Sequence, residues 1–96
     1  MSDVIEAAVA ALNEKLGGSG FDAVAKFVLD GVGAIMVDGA GARAGDDEAD
    51  VTLTASPDVF ESMLGGDLNP TAAFMSGKLS VDGDMGAAMR LGGLLA

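Results

Sequence analysis

Asp46, Asp47, Glu48 and Asp50 place four carboxylates within five positions. A hard cation such as calcium wants several oxygen ligands, so such a cluster is where a metal would first be sought. The spacing lacks the closing glutamate of an EF-hand loop. The run reads instead as an exposed acidic loop, and no metal is expected. Gly83-Asp84-Met85-Gly86 superficially suggests a phosphate-binding turn. It fits neither the P-loop nor the dinucleotide fingerprint, and reads as a turn followed by a helix cap. The chain has no histidine to activate a serine, and no histidine or cysteine to hold zinc. Carboxylate pairs can do acid–base work when an apolar setting shifts their pKa values, but these acids sit in polar runs. No catalytic group and no cofactor are expected, and the chain reads as a non-enzyme.

Phe60, Met63, Leu64, Phe74, Met75, Met85, Met89 and Leu94 offer a different chemistry. Each falls on the inward face expected for one of three C-terminal helices. Unbranched thioethers repack around differently shaped neighbours, which suits a wall that holds apolar ligands. Taken alone, the pattern reads as ordinary core, since methionine is also a common gap-filler.

The elements that must position these residues are marked by punctuation. Ala49, Val51, Leu53 and Ala55 alternate with Asp50, Thr52 and Thr54, which predicts a half-buried strand. Ser56-Pro57-Asp58 supplies an N-cap, a first-turn proline and a charge suited to the helix start. Val59, Phe60, Met63 and Leu64 then share a face until Gly65-Gly66. Asn69-Pro70 repeats the device for a short helix through Met75, closed by Gly77. Lys78–Asp82 alternates again, with Leu79 and Val81 on one side. Asp84 can cap a last helix carrying Met85, Ala88, Met89 and Leu94 or Leu95 inward.

In the N-terminal half, Asp3 and Glu6 have capping-box spacing. Val4, Ile5, Ala8, Val9, Leu12 and Leu16 form an apolar helical stripe ended by Gly17-Gly18. Ala25–Asp30 and Ala34–Asp38 read as paired strands joined by Asp30-Gly31-Val32-Gly33. Ala42–Ala44 is a weak strand candidate.

The stretch Ala49–Phe60 and the run N-P-T-A-A-F-M-S-G-K-L-S-V-D-G-D-M from Asn69 to Met85 resemble the sterol carrier protein type 2 lipid-binding domain family. The likeness extends more weakly over the N-terminal half. It implies one α+β domain over residues 1–96, in which a five-stranded β-sheet with helices packed on one face encloses an apolar tunnel. It also implies non-enzymatic binding, with transfer as an extension, of a fatty acid, acyl-coenzyme A or sterol-like lipid. With that likeness, the methionine and phenylalanine positions become expected tunnel lining, with Leu79 and Val81 as its floor. Gly86, Gly92 and Gly93 weaken the last helix and make it the expected gate. The alternative is an accessory or protein-interaction module of a larger lipid-metabolising system, docking through the Val4–Leu16 stripe or forming a homodimer.

Charge narrows the partners. Five basic residues against fifteen acidic ones give a net charge of −10. Nucleic acid needs a basic stripe and stacking aromatics, so it is excluded. An anionic membrane would repel the chain, and only Lys78 and Arg90 lie where coenzyme A phosphates could be met. No apolar run approaches the roughly 20 residues that span a bilayer, so stable membrane insertion is not expected. The sequence ends Gly-Leu-Leu-Ala rather than in a peroxisomal Ser-Lys-Leu type of address, and shows neither a basic leader nor cysteines. A cytoplasmic location is the expectation.

Overall fold

The computed structural model describes residues 3–17 and 20–95. Helix α1 (Asp3–Leu16) precedes a meander of β1 (Ala25–Leu29), β2 (Gly33–Asp38) and β3 (Gly41–Ala44). Strand β4 (Val51–Ala55) follows, then helices α2 (Pro57–Leu64) and α3 (Pro70–Met75), strand β5 (Leu79–Gly83) and helix α4 (Met85–Leu95). The five strands form one mixed sheet in the order β3-β2-β1-β4-β5. Strands β1 and β4 run parallel, and the other neighbours antiparallel. The fold is α+β.

The caps form as their chemistry requires. Ser56 Oγ accepts from Val59 N–H at 3.2 Å, and Asn69 Oδ1 accepts from Thr71 N–H at 2.8 Å and Ala72 N–H at 3.3 Å. Asp84 Oδ1 accepts from Ala87 N–H at 3.2 Å. Each satisfies donors that a helix start leaves unpaired. The expected capping box rests on the Asp3 side chain, and the second glycine of the α1 stop is Gly18. Both lie outside the described residues.

Strand boundaries differ from the expected ones for identifiable reasons. Strand β4 starts at Val51 rather than Ala49, because Asp50 is tied to Val24. Asp50 N–H donates to Val24 O at 2.8 Å, and Val24 N–H donates to Asp50 Oδ2 at 3.0 Å. Lys78 is not in β5, because its N–H donates to Ala73 O and completes the turn that ends α3. Gly83 extends β5 at φ +109°, and a Cβ there would run into the Asp50 carbonyl. Asp30 falls after β1. The weak candidate at Ala42–Ala44 is a full strand from Gly41, and it is pinned from α1. Asn13 Nδ2 donates to Ala42 O at 3.0 Å, while Ala42 N–H donates to Asn13 Oδ1 at 2.8 Å. One amide side chain thus occupies an edge strand's free backbone groups.

One sheet face and the helices enclose the core. Alternate residues Phe27 and Leu29 of β1, Ile35 and Val37 of β2, and Val51 and Leu53 of β4 point into it. Helix α1 contributes Ile5, Ala8, Leu12 and Leu16. That stripe is therefore spent inside the fold and is not available as a docking surface, which corrects the expectation drawn from its amphipathicity. Only Val4 of the stripe is largely outside, at 46% exposed.

Residues 45–50 pass across the outer face to link β3 with β4. Asp46, Asp47, Glu48 and Asp50 are exposed, but the segment is tied down. Asp46 pairs with Lys26 at 2.9 Å, and Asp47 N–H lies 3.5 Å from Met36 Sδ. Met36, on the face opposite the core, is buried beneath this strap. Among the described residues no cluster of three or more acidic side chains is arranged to hold a metal ion.

Candidate functional site

A row of cross-strand neighbours sets the floor of the main cavity. Phe27 of β1 is registered with Leu53 of β4, and Leu53 with Val81 of β5. Leu79 lies two residues along on the same face. Helix α2 brings Met63 over one end of this row, and Met63 is almost fully buried. The opposite wall comes from α3 and α4. On α4, Met85, Ala88, Met89, Gly92 and Gly93 recur at helical spacing, so they form one stripe. Pro70, Thr71, Phe74 and Met75 are the corresponding side of α3. Between floor and wall lies an apolar cavity of about 490 Å³.

Seven of the expected lining residues meet here: Met63, Phe74, Met75, Leu79, Val81, Met85 and Met89. Phe60 and Leu64 do not. They line a second cavity of about 510 Å³ between α1 and α2, together with Val4, Ala7, Ala8, Ala11 and Leu29. Leu94 lines neither and is 39% exposed. The reason is rotational. Phe60 and Met63 are one turn apart on α2, and their small angular offset directs them to opposite sides of a shared partition. The Phe60 ring meets Phe27 edge-on, with centroids 5.0 Å apart and planes at 61°.

The expected lining residues of α3 and α4 are solvent-exposed rather than enclosed. Met75 is 81% exposed and Met89 77%, while Met85 and Phe74 are nearly half exposed. They form the mouth of the cavity. An apolar stripe marks the side of a helix that faces its neighbours, but periodicity does not report whether those neighbours close upon it. Ala88, Gly92 and Gly93 lie on the same stripe and were legible as such. Phe27 and Leu53 were legible as inward strand residues, but their register with Val81 was not.

Polar groups at the cavity are few and uncharged. Asn69 and Thr71 are the hydrogen-bonding side chains in its lining. Asn69 Oδ1 is occupied as the α3 cap, which leaves its amide N–H₂ for another acceptor. Lys78 and Arg90, the cations expected nearby, do not line the cavity. Arg90 Nε donates to Asp22 Oδ1 at 3.1 Å, and its guanidinium sits 6.0 Å from the Phe21 ring centre. Asp38, a carboxyl with a clearly displaced pKa, does not line the cavity. The Arg43 guanidinium and the Ala40 N–H hold it below the ordinary carboxylate range.

A β-sheet floored by apolar side chains and roofed by two short helices over an uncharged cavity is a binding architecture. The sequence profile of the SCP-2 sterol transfer family matches residues 6–96. The chain belongs to that family.

It is 49% identical over 49 residues to Hydroxysteroid dehydrogenase-like protein 2 of Danio rerio, covering 51% of this chain and 12% of that one. It is 37% identical over 78 residues to Peroxisomal multifunctional enzyme A of Dictyostelium discoideum, covering 81% and 17%. The chain therefore spans only a small part of these curated relatives. Among solved structures, Sterol Carrier Protein-2 of Aedes aegypti, studied in complex with palmitate, superposes with a TM-score of 0.78 at 24% identity, covering 100% of this chain and 97% of that one. At that identity the likeness speaks for the fold.

Proposed function

We propose that this chain binds a hydrophobic ligand in the cavity between the sheet and helices α3 and α4, without altering it chemically, and passes it on. The observation that carries this reading is the uncharged cavity of about 490 Å³, whose volume falls within the usual range of roughly 300–1,000 Å³ for small-molecule sites. Energetics support occupancy. A dry void of that size would cost on the order of 12 kcal/mol at about 24 cal/mol per Å³. A domain's whole stability is about 5–15 kcal/mol. The open mouth lets water in when no ligand is bound, and each lipid methylene that replaces water contributes about 0.8 kcal/mol.

The ligand is a lipid with an aliphatic or sterol-like body. Its polar end meets the Asn69 amide and the Thr71 hydroxyl, which suits a hydroxyl, ester or amide better than coenzyme A phosphates. Helix α4 is the element that moves aside, because Gly86, Gly92 and Gly93 lower its intrinsic helical stability. The protein partner is a second matter. The relatives are long chains of which this one matches a small part, which supports a role in presenting lipid to an enzyme.

Native mass spectrometry of the protein as purified, with extraction and identification of released molecules, tests the binding reading. A discrete added mass in the lipid range is the expected result. An unliganded mass that stays unchanged after incubation with fatty acids, fatty alcohols and sterols would refute it.

A further inference from the structure

The chain has six methionines and no cysteine, tryptophan, tyrosine or histidine. A two-electron oxidant therefore finds no softer target in it than a thioether. Met1 lies outside the described residues. The other five divide into two groups. Met75 and Met89 are mostly exposed and Met85 is nearly half exposed, whereas Met36 and Met63 are each 1% exposed.

The division follows the cavity. All three accessible thioethers line the mouth of the cavity between the sheet and helices α3 and α4. Met85 and Met89 are four residues apart on α4 and so share a face, while Met75 stands across the mouth on α3. The protected pair is held by packing. Met36 lies under the strap of residues 45–50, with its Sδ 3.5 Å from the Asp47 N–H, and Met63 is buried at the partition between the two cavities. Isolated exposed methionines would be oxidised without consequence. Here the exposed ones are gathered where a ligand must pass.

We propose that Met75 and Met89 are a redox-modification site, at which a hydroperoxide arriving from solvent converts the thioethers to sulfoxides and weakens retention of the ligand. The sulfur lone pair attacks the terminal peroxide oxygen. The S–O bond forms as the O–O bond breaks, so sulfur loses two electrons and the peroxide gains them. The proton on the transferred oxygen passes to the departing one, which leaves as water or an alcohol. A thiol-dependent sulfoxide reductase reverses the step, releasing the oxygen as water and oxidising two thiols to a disulfide. The sulfoxide replaces a flexible apolar side chain by a polar one. The lining offers its oxygen few donors beyond Asn69 and Thr71, so water must solvate it. An apolar ligand seated against that wall strips the water away, and its affinity falls. The effect on retention rests on the reading of the cavity as a lipid site, whereas the selectivity of oxidation does not.

The test treats the full chain with hydrogen peroxide and follows oxidation residue by residue by peptide mass spectrometry. Met75 and Met89 are expected to gain oxygen at least about tenfold faster than Met36 and Met63, with Met85 between, because the buried pair reacts only through local opening. Fluorescent stearate affinity is measured before and after treatment, each protein against its own untreated form. Wild type should lose about tenfold once both sites are oxidised. Reductases for both sulfoxide epimers, with dithiothreitol as the thiol, should restore it. In Met75→Leu/Met89→Leu, which keeps the apolar volume but not the sulfur, peroxide should change affinity less than about twofold. The proposal is overturned if Met36 and Met63 oxidise as fast as the mouth residues, or if wild type keeps its affinity with both sites oxidised. It is equally overturned if the leucine variant loses as much as wild type, or if the loss comes with unfolding seen by circular dichroism. If untreated wild type does not bind stearate, the lipid-site reading falls and the effect on retention with it, while the order of oxidation still decides the modification site.

Discussion

Adjacent alanines on α4 give opposite answers to the same substitution if the cavity is real space. Ala87 is fully buried in the core and does not line the cavity, whereas Ala88 does. Replacing either by leucine adds three methylene-sized groups and changes helix propensity little. At position 87 there is nowhere to put them, and overpacking is expected to cost about 1–3 kcal/mol. At position 88 they enter the cavity and leave water. Three groups at about 0.8 kcal/mol set an upper bound near 2.4 kcal/mol. Imperfect fit leaves a gain of about 1–2 kcal/mol, or a rise in Tm of roughly 5–15 °C for a chain of this size. The same groups take space from the ligand, so affinity for a fluorescent stearate falls by up to roughly fiftyfold. Denaturant unfolding of the ligand-free proteins and a stearate titration read both effects. If Ala88→Leu destabilises as much as Ala87→Leu and stearate binds undiminished, the space is not there and the cavity reading fails with it.

Asn13→Ala removes both hydrogen bonds to Ala42 and leaves the β3 edge unpinned; chemical denaturation should show a loss of about 1–3 kcal/mol. Alanine at Gly92 and Gly93 meets no close atom, the nearest being Pro70 Cβ, 3.8 Å from where a Cβ on residue 92 would stand. The double variant should stabilise α4 by up to about 2 kcal/mol and slow stearate release in stopped flow; faster or unchanged release, with α4 amides better protected from hydrogen exchange, would exclude α4 as the gate. Asp38 has a folded pKa below its ordinary 3.8, so its contribution to stability is present above that value and is lost as pH falls through the lower folded one. Asp38→Asn should therefore flatten the acid limb of the stability–pH curve, and an unaltered limb would show that the Arg43 pair contributes nothing.

The local grammar of this chain was legible because its signals are short-range. Ser56-Pro57, Asn69-Pro70 and Asp84 satisfy helix donors two or three residues away, so no distant partner decides them. Alternation in Val51–Ala55 and Leu79–Val81 fixes which side chains share a face, because the pleat has period two. Composition excluded histidine and cysteine chemistry outright, and the Asn69–Met85 run was enough to indicate the family.

Other features depended on where elements meet. The Val4–Leu16 stripe was legible as one apolar face, but only packing against the sheet made it core rather than the docking surface of the alternative reading. The acidic cluster at Asp46–Asp50 looked like free loop, and became a strap once Lys26, Met36 and Val24 came within reach. Phe60 and Met63 looked equivalent, and a few tens of degrees of helix rotation sent them to separate cavities. Met75 and Met89 carried a core signature, yet the packing of α3 and α4 left them at an open mouth. Sequence by itself determined the elements, their faces and the absence of histidine and cysteine chemistry, since those follow from neighbouring residues. Only the tertiary structure decided which apolar face closes and which stays open, because that depends on the gap between elements far apart in the chain.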